Sequence, residues 1–193
     1  MKKNLIVLIA LTGILFSFAP KADVYNVDLS KSKIEWIGRK VTGKHNGTIN
    51  IKEGVLLIKD GILLGGSFVI DMSSIKVLDM TGEYAGKLEG HLKSDDFFGA
   101  EAYPTSKLVI TQANAKGDGQ FEVKGNLTIR DVTQPVTFMT QLTADGKKYK
   151  ATTNITIDRA NYNVKYGSGS FFEGLGDKTI YDEFDLDITL VTE

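Results

Sequence analysis

The sequence predicts an all-β protein whose strands close into an antiparallel barrel in preference to a sandwich. Three observations carry this. After residue 23, about eight segments alternate apolar and polar residues with period two. Their connections are short and turn-rich, as hairpins require. The segments run to about ten residues and hold interior glycines at Gly38 and Gly125, which weaken a flat strand but permit the coiling that closure needs. An eight-stranded barrel has an interior just wide enough to be filled by side chains or to hold one ligand.

The elements follow in order. Ile34, Trp36 and Val41 mark the first long strand. Residues 49–52 alternate, are expected to turn at Glu53-Gly54, and return as residues 55–58. Asp60-Gly61 is a strong hairpin signal. Gly65-Gly66 leads into residues 68–72. Residues 108–111 precede a turn at Gly117-Asp118-Gly119, and residues 121–130 alternate almost without fault. Residues 136–142 end at Asp145-Gly146, and residues 149–157 and 184–191 complete the set. One stretch breaks the period. Tyr84, Leu88 and Leu92 recur at i, i+4 and i+8, one stripe of a short helix. Ser94 is expected to cap a second turn, with Asp95 and Asp96 at its N-terminus and Phe97 and Phe98 buried beneath it. Tyr103-Pro104 ends this helical insert near residues 82–100.

The wording of that insert, Gly90-His91-Leu92, Ser94, Asp96-Phe97-Phe98 and Tyr103-Pro104, joins others along the chain. Upstream stand Trp36-Ile37-Gly38-Arg39-Lys40-Val41 with Gly43, His45 and Gly47, then Gly66-Ser67-Phe68-Val69-Ile70-Asp71-Met72 with Ser74-Ile75. Downstream stand Gly125-Asn126-Leu127-Thr128-Ile129, Ile157-Asp158-Arg159, and Leu175-Gly176-Asp177 with Ile180 and Asp182. In this order and spacing the chain resembles the YceI-like family of lipid- and polyisoprenoid-binding proteins over nearly everything after residue 24. The resemblance implies an extended, eight-stranded, lipocalin-like barrel. Arg130-Asp131 stands where that family often has glycine in the turn.

The N-terminus has a basic start at Lys2-Lys3, an apolar run over residues 5–19, and a break at Pro20-Lys21-Ala22. This reads as a secretory signal peptide over residues 1–22, too short for the roughly 20 apolar residues of a membrane span. Cleavage after Ala19 or Ala22 would leave one domain, residues 23–193, exported to the periplasm or medium without a stable membrane anchor. Removing Lys2, Lys3 and Lys21 from the 23 basic residues leaves 20 against 24 acidic ones, a net charge near −4. An acidic domain without a basic patch argues against nucleic acid. The absence of cysteine excludes disulfides, thiolate metal sites and a cysteine nucleophile.

Parity gives each strand an inner face. Phe121, Val123, Leu127 and Ile129 share one side. So do Val136 and Phe138, Ile155 and Ile157, and Phe184, Leu186 and Ile188. Ile34 pairs in parity with Trp36, Ile49 with Ile51, and Phe68 with Ile70. For an arbitrary β-domain the pattern reads first as a filled core, and it does not separate that from a slot for an apolar chain; only the family resemblance moves the reading to the slot. These side chains, with Phe171 and Phe172 of the glycine-rich segment 166–176, are the candidate ligand contacts. That segment reads either as a plug of the barrel end or as a mobile lid.

Chemistry is sparse. His45 and His91 lack metal-ligand spacing, and Asp95-Asp96 do not face one site on a helix. Gly167-Ser168-Gly169-Ser170 fits neither a nucleophile elbow nor a phosphate loop. Asp158-Arg159 reads most simply as an ion pair at a strand end, worth little if exposed; by the resemblance it stands at the family's matching Asp-Arg position, with a structural role as one reading. No catalytic residue, metal or cofactor is assigned. The expected function is therefore a non-enzymatic carrier or sequestering protein. Its ligand, by the resemblance, is a polyisoprenoid, a quinone tail, or a fatty acid or amide. A partner-binding or structural barrel with a filled core is the alternative, and a His-dependent enzyme the third. Homodimerisation stays open.

Overall fold

The computed structural model describes residues 22–193; all but the last residue of the signal segment expected over residues 1–22 lies outside them. Among these described residues there are nine strands and one α-helix: β1 (Asp23–Asn26), β2 (Lys33–Lys40), β3 (Gly43–Lys59), β4 (Ile62–Val77), α1 (Gly82–Lys93), β5 (Thr105–Gly117), β6 (Gln120–Ile129), β7 (Val132–Asp145), β8 (Lys148–Asp158) and β9 (Ile180–Val191). Strands β2 to β9 pair antiparallel in sequence, and β9 returns to β2 through Trp36↔Leu186, closing an eight-stranded barrel. The short β1 adds to the far half of β3 through Asn26↔Val55.

Turn chemistry sets the hairpins. Asp60 and Gly61 both take positive φ, 51° and 77°, the twist that matches a two-residue β-hairpin. Arg130 and Asp131 do the same without glycine, at 50° and 60°. The arginine has a compensation: its guanidinium donates to the carbonyls of Asp95 (3.1 Å) and Phe97 (2.7 Å), tying this turn to the segment after α1.

Three expectations are corrected. No turn forms at Glu53-Gly54; β3 runs through it with a register shift between Ile51 and Glu53. The glycine serves a close approach, because Val27 bonds to the Gly54 carbonyl at 2.9 Å and a Cβ at Gly54 would meet the Val27 side chain at 2.9 Å. In α1, Tyr84 is exposed and Ala85 is buried instead. The inner face of the helix is Ala85, Leu88 and Leu92, at i, i+3 and i+7. Ser94 caps no second helix; its hydroxyl donates to the His91 carbonyl at 2.8 Å and closes α1, and residues beyond it form hydrogen-bonded turns.

The barrel has two unlike ends. At one lie the tight turns at 60–61, 117–119 and 146–147, sealed by a cluster that includes Val27, Ile58, Leu63, Phe121 and Leu142. At the other lie the β2–β3 turn, α1, the β6–β7 turn and the long segment 159–179. Here Phe97, Ile129, Ile155, Ile157, Tyr162 and Val164 pack under the helix side. The wall between β7 and β8 is paired only from Thr140↔Thr153 to Asp145↔Lys148; above that the strands diverge, and the Gln134 side chain bridges to the Asn161 carbonyl at 3.2 Å. Pro135, with no N–H to offer a neighbour, sits in this unpaired stretch.

Candidate functional site

The inward faces do not fill the barrel. They enclose a cavity of about 510 Å³, within the range of small-molecule sites (about 300–1,000 Å³). Its walls carry sixteen of the candidates from the sequence: Ile34, Trp36, Ile49, Ile51, Phe68, Ile70, Val123, Leu127, Ile129, Val136, Phe138, Ile155, Ile157, Phe184, Leu186 and Ile188. Three candidates stand elsewhere. Phe121 is buried in the cluster that seals the far end, so it is packed core and not wall. Phe171 and Phe172 point into solvent, 42% and 50% exposed, and neither plugs the barrel nor lines the cavity.

Met72, which shares the parity of Phe68 and Ile70, also lines the wall; wall residues that parity did not single out include Leu56, Leu63, Ile75, Leu108 and Ile110, together with Leu88, Leu92, Phe97 and Phe98 from the helical insert. Period two along β5 was signal enough for Leu108 and Ile110, whereas Leu56, Leu63 and Ile75 stand at the opposite parity to Ile49-Ile51 and Phe68-Ile70 because register shifts interrupt the β3–β4 pairing. The insert offered no such signal, because where a helix lies over a barrel is a tertiary fact.

Local sequence explains several wall positions. Trp36 lies flat across Gly47: a Cβ there would come within 2.5 Å of the indole ring and would collide with the Lys76 carbonyl. The indole N–H donates to the Thr48 carbonyl at 3.3 Å, so the ring's polar edge is met while its face borders the cavity. Gly125 similarly lets β5 approach, a Cβ being 2.8 Å from the Val109 carbonyl.

Polar groups gather at the helix end. Arg39, Lys40, His45, His91, Tyr166, Asp177, Lys178 and Tyr181 line the mouth. Arg39 pairs with Asp185 at 2.7 Å. His45 Nδ1 lies 2.9 Å from Asp79 Oδ2, while the Asn46 N–H donates to the other oxygen at 3.2 Å. Burial pushes the Asp79 carboxyl up, but the bonds from His45 and Asn46 outweigh it and hold the group below the usual carboxylate range. His91 stacks edge-on against Tyr166, with ring centres 4.4 Å apart, and against Phe97 at 5.7 Å. The two histidines thus hold together parts of the mouth. Among the described residues no group of three or more His, Asp or Glu side chains is placed to hold a metal ion.

The Asp158-Arg159 pair is not what the sequence suggested. Asp158 accepts from the Ala160 N–H at 2.8 Å, and Arg159 is 2% exposed. Its guanidinium donates to the carbonyls of Val164 (2.7 Å), Ile180 (3.1 Å) and Tyr181 (3.3 Å), lies 3.2 Å from Asp182, and sits 5.1 Å over the Phe97 ring. Burial pulls its pKa down and Asp182 pushes it back up. Asp182 Oδ2 in turn accepts from Ser168 (2.9 Å) and Ser170 (2.7 Å). The glycine-rich segment is therefore pinned at its middle by a buried charge network and is not a free lid.

An eight-stranded barrel with an apolar interior and a polar mouth has room for one small apolar molecule. The chain belongs to the YceI-like domain family, which it matches over residues 25–192. A UPF0312 protein of Pseudomonas putida is 34% identical over 76 residues, 35% of this chain, and the chain spans 40% of that relative's length. Among solved structures, Burkholderia cenocepacia BcnA superposes with a TM-score of 0.73 at 21% identity, covering 86% of this chain and 99% of that one. A polyisoprenoid binding domain from Saccharophagus degradans, implicated in plant cell wall breakdown, gives 0.63 at 15% identity, covering 88% and 97%. These likenesses establish the shared barrel. Among the described residues no helix is long and apolar enough to cross a membrane.

Proposed function

We propose that the domain is an exported, non-enzymatic carrier that takes up one apolar chain, such as a polyisoprenoid, a quinone tail or a fatty acid or amide, in the barrel cavity. The observation that supports this most is the cavity itself: about 510 Å³, walled by aliphatic and aromatic side chains from all eight barrel strands. Burying apolar surface gives a large, non-directional driving force, so chain length and girth matter more than detailed chemistry. The polar mouth orients an amphipathic ligand with its tail inward. The likeness to a polyisoprenoid binding domain points the same way.

The test is extraction. Protein purified from its own host and denatured in organic solvent should release a lipid with an apolar chain in near-stoichiometric amount, identified by mass spectrometry. Protein that carries none, and that takes up no fluorescent fatty acid or isoprenoid in titration, rejects the carrier reading.

A further inference from the structure

Among the described residues, seven of the twelve exposed large apolar side chains lie at one end of the barrel, around the cavity mouth: Val41, Leu78, Tyr84, Tyr166, Phe171, Phe172 and Tyr181. Contacts link the pieces that carry them. The Val41 N–H bonds to the Thr179 carbonyl at 3.1 Å, and the Leu78 N–H bonds to the Asn46 carbonyl at 2.9 Å. His91 of α1 meets Tyr166. Phe171 and Phe172 are held outward, not left loose. Their N–H groups both bond to the Ser168 carbonyl, and Ser168 is fully buried against Asp182 and, through it, Arg159. A buried ionic network that presents two phenylalanines to solvent is a poor design for a free surface.

Charge says what covers this face. Lys40, Lys44, Lys165 and Lys178 stand on the same rim, and among the described residues none has a carboxylate within ion-pair distance. Lys165 lies 5.0 Å over the Phe171 ring. Glu173 and Asp177 are the unpaired carboxylates beside them. Other acids of this end are paired, Glu83 with Lys87, Asp79 with His45, Glu89 with Lys76, Asp185 with Arg39 and Asp182 with Arg159, while Asp95, Asp96, Glu101 and Asp131 lie by the β6–β7 turn on the other half, where Arg130 reaches the Asp95 carbonyl. We infer that the half-rim formed by the β2–β3 turn, the start of α1 and residues 165–178 docks the barrel mouth on an anionic bilayer surface. Aromatic side chains suit the interfacial layer, and lysines suit its negative potential. The cavity then opens onto the membrane, so an apolar chain can pass between bilayer and barrel without crossing water.

The inference rests on the carrier reading for its purpose, and the experiment separates the two. Residues 23–193 are sedimented with phosphatidylcholine vesicles with and without phosphatidylglycerol, and solution binding of a fluorescent fatty acid is measured in parallel. Variants are F171S/F172S and K44E/K165E, none of which touches the cavity wall. The expected result is partition onto phosphatidylglycerol vesicles that falls about tenfold in each double variant and is lost at high salt, with solution binding unchanged. Equal partition of wild type and variants overturns the inference, as does wild type that stays in solution. Dimerisation in the absence of lipid that F171S/F172S abolishes also overturns it, by assigning the rim to a second copy. Vesicle docking without fatty-acid binding sustains this inference and rejects the carrier reading.

Discussion

At the residue scale the two sharpest points are a wall position and a buried charge. Phe138 is half-buried on the cavity side of β7. Enlarging it to Trp should lower affinity for long chains severalfold while the barrel keeps its melting temperature within a few degrees. Phe138→Asp should destabilise by several kcal/mol, because an unpaired carboxylate would be desolvated. Fluorescent-chain titration and thermal unfolding separate the outcomes; affinity untouched by Phe138→Trp removes the cavity as the binding site. Arg159→Ala should cost about 3–5 kcal/mol, since it strands Asp182 and three carbonyls. The double change Arg159→Met with Asp182→Leu should restore a good part of that loss in chemical denaturation. The wall was legible in the sequence where alternation was clean, as in residues 121–129. The charge network was not: Asp158-Arg159 are neighbours in sequence, whereas the partner Asp182 is 23 residues on and reaches Arg159 only after β9 pairs with β8.

At the element scale, α1 is the weakest piece. It carries Gly86 and Gly90 on an exposed side, where a Cβ would meet nothing within 4 Å. Gly→Ala at each should stabilise by about 1 kcal/mol, seen as an additive rise in melting temperature. The helix is also held by Glu89, which accepts from the Val77 N–H (3.1 Å) and from Lys76 (3.1 Å). Those bonds, the backbone one foremost, hold its carboxyl below the usual range. A folded-state pKa under the unfolded one means the contribution is complete above the unfolded value, about 4.3, and fades as pH falls through the lower folded value. Protection factors over residues 82–93, the exchange rates normalised to those of the unfolded chain at the same pH, should therefore fall below about pH 4, and Glu89→Gln should flatten that dependence. Protection in acid unaffected by Glu89→Gln would show the anchor to be irrelevant. The presence of a helix was legible from its period; which face it buries was not. Tyr84 fits the stripe by spacing, yet Ala85 is the residue that is buried with Leu88 and Leu92, because spacing alone does not say which of two neighbouring stripes turns inward. Gly54 misled for the same reason: glycine marks a turn and a close approach alike, and only Val27 tells them apart.

At the scale of the whole molecule, closure follows from β9 meeting β2 and leaves the two ends to divide the work. The tight turns at 60–61, 117–119 and 146–147 all fall at the sealed end, away from the mouth and from every wall residue of the helix side. Asp60, Asp118 and Gly146 are exposed and carry the positive φ of tight loops, the kind of site that accepts added sequence. A fluorescent protein or affinity tag spliced at Gly146-Lys147 should thus leave both uptake of a chain and contact at the rim intact. The molecule comes with its own handle, placed where grasping it disturbs nothing it does.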